Sequence, residues 1–177
     1  MDRLTVESLN NLRETLAREE EAKKLTKLLI CGGTGCHATG SIAVRDALKN
    51  EIKEKGLEEK VVLVETGCNG FCAMGPLLVV HPDGVFYQKL KADDAAELVE
   101  KHLIKGEIIE RLLYKDPTTK KKIAVQDDIP FFGNQLSRAL RNKGLVDPEQ
   151  INDYIVRDGY RGAAKALFEM GPEDIVE

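Results

Sequence analysis

Four cysteines stand in two short-spaced pairs, Cys31-x4-Cys36 and, after a gap of 31 residues, Cys68-x3-Cys72. Thiolates hold iron–sulfur clusters, four of them for a [2Fe-2S] centre, and a rhombic cluster takes two pairs approaching from opposite sides. Seven glycines crowd the same two segments: Gly32, Gly33, Gly35, Gly40, Gly67, Gly70 and Gly75. They let backbone N–H groups turn toward an anionic centre, where such donors help set its potential. A structural zinc site would use the same four ligands, but zinc sites commonly include the tighter C-x2-C knuckle, which neither pair has. The missing C-x-x-C also weakens a dithiol-exchange reading. A cluster on Cys31, Cys36, Cys68 and Cys72 is the leading expectation, with zinc and thiol roles as the alternatives. Leu77, Leu78 and Phe71 stand close enough in the chain to restrict water.

The elements around the cysteines have to bring the two pairs together. Lys27-Leu28-Leu29-Ile30-Cys31 is a short apolar run ended by glycines, the pattern of a buried strand entering a loop. From Ser41 to Lys55 the residues Ala43, Val44, Ala47, Leu48 and Ile52 recur at helical spacing, and Gly56 follows as a C-terminal stop. Val61-Val62-Leu63-Val64 runs into Cys68, and Leu77-Leu78-Val79-Val80 follows Cys72 and Pro76. The turn His81-Pro82-Asp83-Gly84 joins that strand to Val85-Phe86-Tyr87 as a hairpin. Ala95, Leu98, Val99 and Leu103 then mark a last helix, with Asp93 and Asp94 in its first turn. The order strand, helix, strand, strand, strand, helix predicts an α/β fold, a mixed sheet of four strands with helices packed on it.

The 177 residues suit one domain with an appendage. Residues 1–26 form a charged N-terminal helix with Leu4, Leu9, Leu12 and Leu16 along one stripe and Thr5 as its cap. Residues 27–105 form the cysteine domain, and 106–125, with the polar run Lys115–Lys122, a linker. Residues 126–177 form a small helical extension, in which Tyr154, Ile155, Ala164, Leu167 and Phe168 are too few apolar side chains for a core of their own. The net charge of −4 carries no nucleic-acid footprint. Residues 1–24 lack the apolar run of a signal peptide or a spanning helix, so the expected location is cytoplasmic, without membrane insertion. Three scattered histidines make no acid–base site. His37, beside Cys36, is read as a solvent-facing loop residue in preference to one that tunes a cluster by hydrogen bonding, His81 as part of the hairpin turn and His102 as part of a helix.

Cys31-Gly-Gly-Thr-Gly-Cys36 with Thr66-Gly-Cys68-Asn-Gly-Phe-Cys72-Ala-Met-Gly-Pro76 resembles the thioredoxin-like [2Fe-2S] ferredoxin module over residues 27–105. The resemblance implies that Cys31 and Cys36 bind one iron and Cys68 and Cys72 the other, in a cluster near the surface suited to outer-sphere transfer. It also raises the prospect of a cis proline at Pro76. Residues 106–177, through Gly106-Glu-Ile-Ile-Glu-Arg-Leu, Pro130-Phe-Phe and Asp153-Tyr-Ile-Val-Arg-Asp-Gly-Tyr160, resemble the lead-in of the flavin-bearing, NADH-oxidising subunit of complex I-type dehydrogenases and electron-bifurcating hydrogenases. That family carries a glycine-rich FMN- and NADH-binding loop further on. No such loop precedes Glu177, so no flavin or nicotinamide residue carries over, and a truncated form, a split gene or a fragment is expected. FMN and NAD(H) are then expected only on a partner or a continuation. The implied function is a one-electron carrier within an NAD(P)H oxidoreductase or hydrogenase complex, with flavin-bearing and iron–sulfur subunits as partners. The alternatives are a zinc-stabilised interaction module and a truncated form of the full FMN-containing, NADH-oxidising subunit.

Overall fold

Thr26–Cys31 forms β1, and its last four residues are buried. In a strand, alternate side chains leave on opposite faces. Leu28 and Ile30 accordingly enter one apolar cluster with Val44, Leu48, Tyr87 and Val99. Leu29 and Cys31 enter another with Cys36, Leu77, Phe86 and Ile129. Both faces being covered, β1 reads as an unbroken apolar run rather than an alternating one.

The computed structural model describes residues 5–142 and 145–176. Residues 25–144 pack as one compact unit, and residues 1–24 with 145–177 as a second. In the first, β1 is central: β2 (Val61–Thr66) pairs with it in parallel, β3 (Leu78–His81) pairs with it antiparallel on the other side, and β4 (Val85–Tyr87) closes the hairpin at the edge. The expected mixed four-stranded sheet is present, in the order β2-β1-β3-β4.

Helix α1 (Val6–Lys23) belongs to the second unit, and α2 (Thr34–Ala38) and α3 (Ser41–Glu54) to the first. Val44, Leu48 and Ile52 are the buried stripe of α3, at the spacing of four that puts side chains on one helix face. Helix α4 (Asp94–Glu97) continues as a π-helical stretch, Leu98–Ile104, with Ala95, Leu98 and Val99 buried. Asp94 accepts the Lys91 N–H at 2.8 Å and pairs with Arg111 at 2.7 Å, which ties this helix to the chain that follows.

Residues 106–125 pack on the sheet where a linker was expected. Ile109, Leu112, Leu113 and Tyr114 are buried. Short strands β5 (Tyr114–Lys115) and β6 (Lys122–Ile123) form a hairpin, and single bridges join Leu113 to Tyr87 and Val125 to Val85. The polar loop between β5 and β6 suggested a linker, but the apolar residues on either side have the β4 edge to cover.

In the second unit, Thr5 caps α1: the Ser8 N–H donates to Thr5 Oγ1 at 3.1 Å and the Thr5 N–H to Ser8 Oγ at 2.8 Å. Leu9 is buried, while Leu4 lies outside the described residues. Against α1 sits α6 (Ile151–Val156), one of three short helices after α5 (Pro130–Gly133), the others being α7 (Arg161–Phe168) and α8 (Pro172–Val176). Arg13 donates to the carbonyls of Ile155 and Gly159 at 3.0 and 3.1 Å, and Arg157 donates to Glu20 at 3.0 Å. Among the described residues no helix is long and apolar enough to cross a membrane.

Candidate metal centre

Parallel pairing sets Cys31, the last residue of β1, beside Thr66, the last residue of β2, so both cysteine loops leave the sheet at neighbouring points. The Gly32 N–H donates to the Thr66 carbonyl at 2.8 Å and the Cys31 N–H to the Leu77 carbonyl at 3.1 Å. These bonds fasten the first loop to both ends of the second. Cys31 and Cys36 are 1 % exposed, Cys36 inside α2, whereas Cys68 and Cys72 are exposed. Cys72 opens a single 3₁₀ turn, Cys72–Met74, and the peptide bond from Gly75 to Pro76 is cis.

The sulfurs of Cys68 and Cys72 are 3.8 Å apart. Two thiolates on one tetrahedral ion, with metal–sulfur bonds of about 2.3 Å, stand at about that separation. Burial pushes the Cys36 thiol up to about 12, and the adjoining Cys31 adds to the rise. The Cys72 thiol is raised mainly by its hydrogen bond with Cys68. Cys31 also acts electrostatically on Cys72, and Cys72 on Cys36, so the two pairs feel each other's charge. Burial and mutual repulsion oppose ionisation at Cys36 and Cys72, so a bound metal, by supplying positive charge, would release protons there.

The backbone leaves room for sulfur and little else. A Cβ on Gly33 would lie 3.1 Å from Cys68 Sγ, one on Gly35 3.3 Å from Cys72 Sγ, and one on Gly75 2.7 Å from Cys36 Sγ. The Gly70 N–H donates to Cys68 Sγ at 3.3 Å, a donor of the kind the glycine content predicts. Among the described residues, no three His, Cys, Asp or Glu side chains converge as a site for one ion. Donor type, pairing and close glycine approach all fit a two-iron cluster.

Leu77 and Leu78 are fully buried, and Phe71 packs among aromatic rings. Other neighbours could not be found from cysteine spacing. His37 lies on α2, with Nε2 3.1 Å from Glu65 Oε1, while Arg45 from α3 donates to Glu65 Oε2 at 2.6 Å. Arg45, then His37, hold the Glu65 carboxyl below its usual range. Glu65 thus ties the helix bearing Cys36 to β2, and His37 is a partner in that tie rather than a loop residue facing solvent. Phe131 and Phe132, some 60 residues beyond Phe71, reach the second loop. Their sole signal in the sequence is the Pro130-Phe-Phe resemblance. His81 ends β3, and His102 Nδ1 lies 2.6 Å from the Tyr87 hydroxyl.

Three known proteins and one family model are similar to this chain. A [2Fe-2S] ferredoxin of Clostridium pasteurianum is 38 % identical over 77 residues, 44 % of this chain and 76 % of the relative. The NADP-reducing hydrogenase subunit HndC of Solidesulfovibrio fructosivorans is 51 % identical over 43 residues, 24 % of this chain and 9 % of that one. A solved thioredoxin-like [2Fe-2S] ferredoxin from Aquifex aeolicus superposes with a TM-score of 0.48 at 34 % identity, covering 56 % of this chain and 99 % of that one. The family model for thioredoxin-like [2Fe-2S] ferredoxins matches residues 14–103, just over half of the chain. With its mixed sheet, paired cysteine loops and flanking helices, the chain belongs to the thioredoxin-like [2Fe-2S] ferredoxin family.

Proposed function

We propose that this chain carries single electrons on a [2Fe-2S] cluster whose ligands are Cys31 and Cys36 on one iron and Cys68 and Cys72 on the other. The observation that carries this reading is the meeting of two sulfur pairs at adjoining strand ends, one buried and one exposed, in a member of this family. Such a cluster, when bound, supplies reversible one-electron reduction. The chain's own residues supply the surroundings. The Gly70 N–H points at Cys68, Leu77 and Phe71 keep water from the inner side, and the exposed pair faces outward to shorten the path to a partner.

The proposed setting is an NAD(P)H-dependent oxidoreductase or hydrogenase complex, in which the chain relays electrons between a flavin-bearing subunit and another iron–sulfur centre. The stretch shared with HndC supports it, as does the resemblance of residues 106–177 to a flavin-subunit lead-in. FMN and NAD(H) then belong to a partner or to a continuation of the chain.

The test is metal and acid-labile sulfide content after anaerobic purification, with EPR spectra before and after dithionite. About two irons and two sulfides per chain, silent when oxidised and spin one-half when reduced, is the expected result. Zinc without sulfide would overturn it. For the setting, the tagged chain isolated from its host should bring down a flavin-containing polypeptide, and recovery without flavin would remove that part of the proposal.

A further inference from the structure

Residues 130–133 lie outside the segment matched by the ferredoxin family, yet they close over its second cysteine loop. Phe131 stacks on Phe71, the residue before Cys72, with ring centroids 4.8 Å apart and planes at 16°. Its edge also faces Gly70, where an added Cβ would lie 3.7 Å from Phe131 Cζ. Phe132 meets Phe71 edge-on at 5.4 Å and packs on Phe86 at 5.6 Å. Asn69, between the two cysteines, and Phe132 line one cavity of about 280 Å³. Gly70 and Phe71 therefore face the Pro130–Gly133 turn, and Asn69 shares a cavity with it.

The turn is held from its other side. The Gln126 N–H donates to the Gly84 carbonyl at 2.9 Å and the Phe86 N–H to the Ala124 carbonyl at 2.8 Å, so its approach runs along the edge of β4. Ile129 is fully buried, and its carbonyl accepts from the N–H groups of Phe132 and Gly133 at 2.8 and 2.9 Å. A side chain at Gly133 would collide with the Asp127 carbonyl, so the chain can double back this tightly with glycine there. Phe131 remains 41 % exposed, one face on Phe71 and the other toward solvent.

The geometry points to Phe131 as a positioning residue for the Cys68–Cys72 pair: by stacking on Phe71 it clamps the exposed cysteine loop and limits the water that reaches its sulfurs. This rests on the assignment of Cys68 and Cys72 as ligands. It deepens that reading by giving the segment after the ferredoxin module a role in setting the properties of the centre. Solvent exposure is one of the quantities that tune such potentials. Water reaching the sulfurs stabilises the more negative, reduced state, so loss of the clamp raises the potential.

The experiment compares the full chain with Phe131→Ala and Phe131→Tyr. In the metal-free protein, position-resolved alkylation should show Cys68 and Cys72 reacting about threefold to tenfold faster in Phe131→Ala, the range expected for loss of one aromatic stack. Cys36 should be unchanged and Phe131→Tyr should restore the wild-type rates. In the cluster-loaded protein, Phe131→Ala should raise the midpoint potential and Phe131→Tyr should return it. Unchanged alkylation or an unchanged potential in Phe131→Ala would overturn the inference, as would equal acceleration of Cys36, which would mark general loosening. A wild-type chain that assembles no cluster but keeps the alkylation contrast would refute the cluster reading and leave the clamp standing.

Discussion

The two compact units are built by different means. Residues 25–144 bury both faces of a sheet, with Leu28, Leu48, Leu77, Phe86 and Ile129 at 1 % exposure or less. In residues 1–24 with 145–177, the buried apolar side chains among the described residues are Leu9 and Ile155. Ile151, Leu167, Phe168, Ile175 and Val176 stay exposed there. The first unit is a packed core that can hold a reactive centre rigidly. The second leans on polar ties, chiefly Arg13 to two carbonyls and Arg157 to Glu20. A hydrogen bond to a charged group contributes about 1.5–3 kcal/mol and burial of one large apolar side chain a similar amount, so the first unit gains by the number of side chains it buries. The four cysteines all sit in the unit with the core.

The sharpest test of that division is at the cysteines. Cys68→Ser and Cys72→Ser should each remove or alter the cluster's absorption and EPR spectra, and unchanged spectra in both would end the ligand assignment. Next comes Leu48→Ala, in the fully buried stripe of α3, which should destabilise the sheet unit by about 2–5 kcal/mol in denaturant unfolding. Leu167, 77 % exposed, should tolerate alanine within about 0.5 kcal/mol, and a large loss there would show a core that the structure lacks. Between these lies Arg13→Ala, expected to weaken the smaller unit by about 1–3 kcal/mol, read as faster hydrogen exchange in α6 while β1 keeps its protection.

The mildest effect is that of pH. Burial lowers the affinity of His102 and His81 for protons, against the opposing charges of Asp83 and Asp127, with Lys27 adding to the lowering at His81. Tyr87 Oη accepts the Ile109 N–H at 3.1 Å, which leaves its O–H to donate to a neutral His102 Nδ1. Both histidines are depressed below 6.5, so the unfolded chain takes up protons first as pH falls. Their contribution to stability is complete above pH 6.5 and is lost as pH drops through the folded values. Melting temperature should therefore decline from pH 7.5 to 5.5, and less steeply in His102→Asn. An equal slope in the variant would remove His102 from the account.

Much of the sheet unit was legible in the sequence because its signals are local. Helix α3 was expected at Ser41–Lys55 and runs Ser41–Glu54, since one apolar stripe and one glycine stop lie within a few turns. The hairpin was legible from four turn residues, and its flanking strands pair as expected. Residues 106–125 were misread in character, because Lys115–Lys122 is polar in sequence while Ile109, Leu112 and Tyr114 are buried by a sheet edge that local pattern does not reveal. The grouping of residues 1–24 with 145–177 was equally out of reach, resting on contacts such as Arg13 with Ile155, 142 positions apart.

By itself, the sequence determined the donor chemistry and the loops that carry it, since thiol spacing, neighbouring glycines and strand-ending runs are properties of short segments. The tertiary structure alone decided that one sulfur pair is buried and the other exposed, that Glu65 ties His37 to Arg45, and that Phe131 lies over Phe71. Those facts depend on strand order and on how distant segments cover the sheet. A contact between residues dozens of positions apart leaves no periodic trace in either segment, so it exists only once the chain has closed on itself.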